Sequence, residues 1–174
     1  MTVDEYRSLV TIKDDALESF VTFSTKKGFK QEHGLANVIW NDFFLRGFLD
    51  KKTGTQSIQV YAALEHTYNR WLFPYQANYG KPLIITSVTK LGKDVDCSNS
   101  DLYNSCVYKE HVAFSIDQKE VNRIRGVIQE NSTNQFWVFR LKTHGGIDID
   151  DGFSKNEFRA LLEAMDSYAP IPAQ

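Results

Sequence analysis

The chain has two cysteines and four histidines in 174 residues. The stretch DCSNSDLYNSCVYKEHVAFSI, residues 96–116, holds both cysteines and His111. Such residues can ligate a metal, run nucleophilic chemistry or join in a covalent bridge. Zinc sites pair cysteines two to four residues apart and add two further ligands, whereas eight residues separate Cys97 from Cys106. No metal and no cofactor is expected on that spacing. A redox pair favours C-x-x-C, which is missing. A nucleophilic Cys106 would need His111 beside it as a base. In an extended strand, however, Cys106, Tyr108, Glu110, Val112, Phe114 and Ile116 share one face, and Lys109, His111, Ala113 and Ser115 the other. Cysteine and histidine then point apart. A Cys97–Cys106 disulfide across the polar SNSDLYNS loop fits better, would stabilise the fold by about 2–3 kcal/mol, and argues for an oxidising compartment. Free thiols would point to the cytosol.

Glu110 lies on the apolar face of that strand, where a carboxylate is costly unless paired. Arg46, in the middle of DFFLRGFLD, has the same difficulty. A structural Glu110–Arg46 ion pair is therefore expected, with Arg70 or Arg140 as alternative partners. THGGIDIDDG, residues 143–152, suggests two chemistries. His144 with its two glycines resembles an esterase oxyanion loop, but no G-x-S-x-G nucleophile elbow accompanies it. Asp148, Asp150 and Asp151 resemble a calcium loop, yet position twelve from Asp148 is Arg159 instead of glutamate. The simpler reading is a glycine turn and an acidic approach to the last helix. Trp71, Phe73, Tyr75 and Tyr79 form a candidate binding patch for a peptide or glycan.

The elements that must position these residues are mostly strands. Thr2 and Glu5 match a capping box for a short helix from about Val3, and 18–25 alternates as a strand. Residues 26–41, punctuated by Gly28 and Gly34, read as a long loop. A β-hairpin is expected, 43–49 against 57–64, with Gly54 in its turn. Its first strand is apolar on both faces and should be covered on both; its second is half exposed. Pro74 demotes any strand in 70–79 to an edge or a bulge. Residues 81–91 and 108–116 read as strands, and a helix follows Asp117, with Val121, Ile124, Val127 and Ile128 at helical spacing. Residues 134–143 read as a strand apolar on both sides. A last helix, capped by Ser154 and Glu157 and stopped by Pro170, buries Phe158, Leu161, Leu162 and Met165. This order predicts one α+β domain, an antiparallel sheet of about five to seven strands packed by a late helix and a C-terminal helix.

Hydrophobic residues make up 42%, charged residues 24% and aromatics 13%, a globular composition whose aromatic share suits a β-rich fold. A net charge of −2 and a pI near 6.1 give no footprint for nucleic acid. No run approaches the roughly 20 apolar residues of a membrane span. The start, MTVDEYRSLV, has no basic flank or apolar run of a signal peptide, which leaves a cytosolic protein or a mature form made without its signal.

DFFLRGFLDKKTGTQSIQVY, an aromatic run ending ANY, KDVDC and CVYKEHVAF occur in that order. The chain thereby resembles a group of uncharacterised bacterial proteins that are similar to exported or lipid-anchored envelope proteins, over roughly 20–116. It departs from them at NRWLF, residues 69–73, and shows no leader or lipid-modified cysteine. The resemblance implies an envelope location, periplasmic or surface, and supplies no catalytic residue. The expected function is a non-enzymatic binding domain with a protein, peptide or glycan partner. The alternatives are a small hydrolase-like enzyme using Glu110 or His144, and a cytosolic interaction partner.

Overall fold

The structure is a computed structural model, and it describes residues 1–26, 40–98, 105–129 and 137–170. The fold is α+β and antiparallel throughout, with the strands shared between two sheets. Helix α1 (Val3–Leu9) is closed by the expected capping box, Thr2 against Glu5. Strands β1 (Thr11–Lys13), β2 (Phe20–Ser24), β3 (Trp40–Asp50) and β4 (Gln56–His66) follow. Then come β5 (Pro74–Tyr79), β6 (Ile84–Ser87), β7 (Thr89–Asp96) and β8 (Val107–Ser115). Helix α2 (Gln118–Gln129), β9 (Trp137–Thr143), β10 (Ile149–Phe153) and α3 (Lys155–Asp166) are the remaining described elements. The first sheet runs β1-β2-β3-β4-β8-β7 and the second β10-β9-β5-β6.

The hairpin forms as its pattern predicts. β3 and β4 pair from Trp40↔Glu65 to Leu49↔Gln56, and Gly54 takes φ +70° in the turn, a conformation open to glycine at little cost. Phe43, Leu45 and Leu49 enter the core, while Phe44 is buried on the opposite face, so β3 is covered on both sides. The two inner sheet faces meet through aromatic edges and faces: Phe43 and Phe114 each lie 5.3 Å from Phe139. α3 brings Phe158 edge-on to Trp137 and Phe153, and it buries the expected stripe, Phe158, Leu161, Leu162 and Met165.

Several elements differ from expectation. The run 81–91 is two strands, β6 and β7, which part at Val88 and join different sheets. β5 is internal to its sheet, and Pro74 stands at its first residue beside a register shift, where a missing N–H does least harm. β9 alternates, with Val138 64% exposed, because one face of the second sheet meets solvent. The acidic approach to α3 is itself a strand, β10, paired with β9. The expected loop at 26–41 and the start of the expected strand at 134 fall mostly outside the described residues.

Candidate functional site

β8 positions Glu110 by parity. Glu110, Val112 and Phe114 are buried, and His111 faces the other way, where Tyr61 Oη lies 2.9 Å from its Nδ1. On the core side β8 pairs with β4, Leu64 opposite Glu110 and His66 opposite Tyr108. His66 is fully buried, between the stacked rings of Tyr68 and Tyr108. Its Nε2 lies 3.3 Å from Glu110 Oε2. The same oxygen accepts from the Leu72 amide at 2.7 Å, and Oε1 accepts from the Phe73 amide at 2.8 Å. Burial opposes ionisation of Glu110, but the hydrogen bonds from His66 and from the two amides outweigh it. They hold its carboxyl below the ordinary glutamate range.

The expected Glu110–Arg46 ion pair is not what forms. Arg46 pairs with Gln59 in the hairpin register and lies on the outer face, its guanidinium 4.3 Å from the Tyr61 ring centroid and 5.3 Å from that of Phe44. A cation over aromatic faces keeps its charge partly solvated and needs no carboxylate. Arg140, an alternative partner, pairs with Asp150.

Glu110 thus anchors a loop, residues 67–73, that carries two of the four expected patch aromatics. Asn69 and Phe73 take φ +57° and +51°, a left-handed region that costs a non-glycine residue of order 1 kcal/mol or more. Further ties hold the loop in this shape. Ser105 Oγ lies 3.0 Å from Thr67 O and 2.9 Å from Asn69 Oδ1. The Gly145 amide donates to Leu72 O at 2.8 Å and the His144 amide to Phe73 O at 3.2 Å. A Cβ on Gly145 would lie 2.9 Å from Leu72 Cα and Trp71 O, so the THGG segment serves as a close-approach turn beneath the loop. His144 stacks on Tyr75 at 4.3 Å.

Trp71 and Phe73 face the edge strand β7. β7 pairs with β8 as Lys90↔Val112, Gly92↔His111 and Lys93↔Glu110, with a register shift between Lys90 and Gly92. Three residues apart on a regular strand, two side chains point to opposite faces. The bulge at Leu91 restores a common face, and both lysines turn toward the loop. Lys90 Nζ stands 5.1 Å from the Phe73 ring centroid, and Lys93 Nζ 5.2 Å from Phe73 and 5.0 Å from Trp71. Between loop and strand lies a cleft of about 290 Å³, lined by Phe73, Lys90, Gly92, Lys93, Glu110 and Val112 among others. A disulfide joins Cys97 to Cys106 and closes the β7–β8 connection beside this cleft. Tyr108, paired with Val95 next to the bridge, meets the Trp71 ring edge-on at 4.9 Å.

The four-residue patch divides. Phe73 lines the cleft and Trp71 stands beside it, under Lys93, whereas Tyr75 is exposed against His144. Tyr79 is buried, its hydroxyl donating to Ser115 O at 3.1 Å and accepting from the Asp117 amide at 2.9 Å. Asp148 and Asp150 of the suspected calcium loop pair with Lys142 and Arg140 on β9. Among the described residues no group of three or more His, Cys, Asp and Glu is placed to hold a metal ion.

Three inward acids lie beyond the sequence expectations. Asp14 pairs with Lys51 Nζ at 2.6 Å, both side chains buried. Glu120 accepts from Trp137 Nε1 at 2.8 Å and from Arg123. Ser154 Oγ caps α3 by accepting from the Glu157 amide, but the Glu157 carboxyl, which the capping box would place on the Ser154 amide, instead accepts from Thr25 Oγ1 at 2.6 Å. Burial pushes that carboxyl up to about 7. His66 was within reach of pattern: it continues the inward set Ile58, Val60, Ala62 and Leu64 by one more step of two.

No family model, no curated protein and no solved structure matches the chain. Among the described residues, no helix is long and apolar enough to cross a membrane.

Proposed function

We propose that the chain is a non-enzymatic binding domain of the bacterial cell envelope, and that its site is the cleft between loop 67–73 and β7. One observation carries the reading. A β-bulge brings Lys90 and Lys93 onto the same aromatic wall, Trp71 and Phe73, and bulges re-aim side chains beside functional sites. The wall itself stands on a backbone strained at Asn69 and Phe73, strain that persists where surrounding structure enforces it. Glu110, at the inner end of the cleft, has both oxygens engaged by amide and imidazole donors. That occupation suits a positioning role for the carboxylate and favours binding over the hydrolase-like alternative. The envelope location draws support from the resemblance of the motif order to that of uncharacterised bacterial proteins similar to exported or lipid-anchored ones, and from the Cys97–Cys106 bridge, a bond that persists in oxidising compartments.

Photo-crosslinking in the native host tests the reading. A benzoyl-phenylalanine at position 73 should trap a partner in the envelope fraction, and the same group at Thr53, on the hairpin tip, should not. Equal products from both positions, or none from position 73, would contradict the assignment.

A further inference from the structure

We infer that β7 (Thr89–Asp96) is a docking edge for an extended acidic peptide segment, which adds as a further antiparallel or parallel strand and places a carboxylate between Lys90 and Lys93. The inference rests on the proposed binding role of the cleft and names the chemistry of the partner. Among the described residues β7 ends the six-stranded sheet, hydrogen-bonded to β8 on one side, and all eight of its residues are exposed. An edge of this length can pair with a strand of comparable length, and main-chain pairing with alternate side-chain pockets is a general mode of peptide recognition. Leu91 and Val95 are 49% and 44% exposed, which offers apolar contact on the free rim. Among the described residues nothing lies within 4 Å of the position a Cβ on Gly92 would take, so the sheet face there is uncovered.

The sign of the partner follows from the two lysines. Lysines on an edge strand ordinarily discourage pairing with another edge, and they select against basic segments. A segment carrying carboxylates reverses that repulsion. Each ammonium already rests on a ring face, which fixes its position before a ligand arrives, and a carboxylate entering the cleft would approach the side turned away from the ring. At the other end of β7 stand Asp94 and Asp96. The segment is therefore acidic opposite 90–93 and neutral or basic opposite 94–96, which sets its direction along the edge.

The test uses the whole chain, isotopically labelled, with three blocked peptides. The first alternates valine and glutamate over one half and valine and serine over the other, the second has lysine for each glutamate, and the third is the acidic peptide N-methylated at alternate amides. The acidic peptide should bind at least about tenfold more tightly than the lysine peptide. It should slow amide exchange across 89–96, and it should lose about tenfold in affinity against a Lys90→Gln/Lys93→Gln variant whose spectrum shows it folded. Equal binding by the N-methylated peptide would overturn strand addition. Failure of the acidic peptide to bind, or preference for the lysine peptide, would overturn the acidic assignment. If position 73 still crosslinks a native partner in those cases, the cleft remains the site and only the partner's chemistry is wrong; loss of the crosslink as well would remove the binding reading itself.

Discussion

Replacing Glu110 with glutamine changes one oxygen to an amide nitrogen and leaves the shape nearly intact. In the fold, Oε2 accepts from both His66 Nε2 and the Leu72 amide, and Oε1 accepts from the Phe73 amide. Glutamine has one acceptor oxygen, so at least one buried N–H must face an NH2 group. The loss is a hydrogen bond to a charged group, about 1.5–3 kcal/mol, with an orphaned donor costing about 1–3 kcal/mol. Some of that overlaps, and about 3 kcal/mol is expected in total for Glu110→Gln. For a chain of this size that corresponds to about 6–12 °C in Tm. Because its hydrogen bonds hold Glu110 below the usual range, the stabilisation is present above the unfolded pKa, about 4.3. It is lost as pH falls through the folded value, and a glutamine does not titrate. The gap between the two proteins should thus close progressively below about pH 4. Urea unfolding followed by circular dichroism, at neutral and acid pH, measures both effects. A change under about 0.5 kcal/mol at pH 7, the size of an ordinary surface substitution, would refute the anchoring role of Glu110.

Two other perturbations have defined signs. Removing the bridge by Cys97→Ser/Cys106→Ser should cost about 2–3 kcal/mol in urea unfolding, and reductant should lower wild-type stability to the variant's level without affecting the variant. Equal stability before and after reduction would contradict a structural role for the bond. Glu157, pushed up to about 7 by burial, holds a proton in the fold that the unfolded chain releases above about pH 4.3. Wild type therefore loses stability as pH rises from there to about 7, and Glu157→Gln should gain on it by about 3 kcal/mol between pH 4.5 and pH 8; a constant difference across that range would show that Glu157 does not titrate with folding.

What the sequence disclosed is local. Gly54 and the period of two specify the β3–β4 hairpin because turn and strands are neighbours in the chain. The inward position of Glu110 follows from parity along β8. Its partner does not, since His66 and Glu110 meet only through the β4–β8 register, forty-four positions apart. The outward position of Arg46 follows from parity with Phe44 and from the hairpin register, which sets it opposite Gln59, two positions from Tyr61 on the outer face. The cleft was the least legible feature. A bulge needs two strands to be defined, so KPLIITSVTKL reads as one strand until β6 and β7 are seen to join different sheets. Loop 67–73 likewise takes its shape from Glu110, Ser105 and Gly145, all distant in sequence, with no local turn signature of its own.

A thiol map of the protein from its native host, alkylated at lysis and digested without reduction, decides the compartment and the bridge together. No free thiol is expected, and a peptide linking Cys97 to Cys106 should be recovered from the envelope fraction. Two alkylated cysteines in a cytosolic fraction would contradict the envelope assignment and leave β7 without its covalent tie beside the cleft.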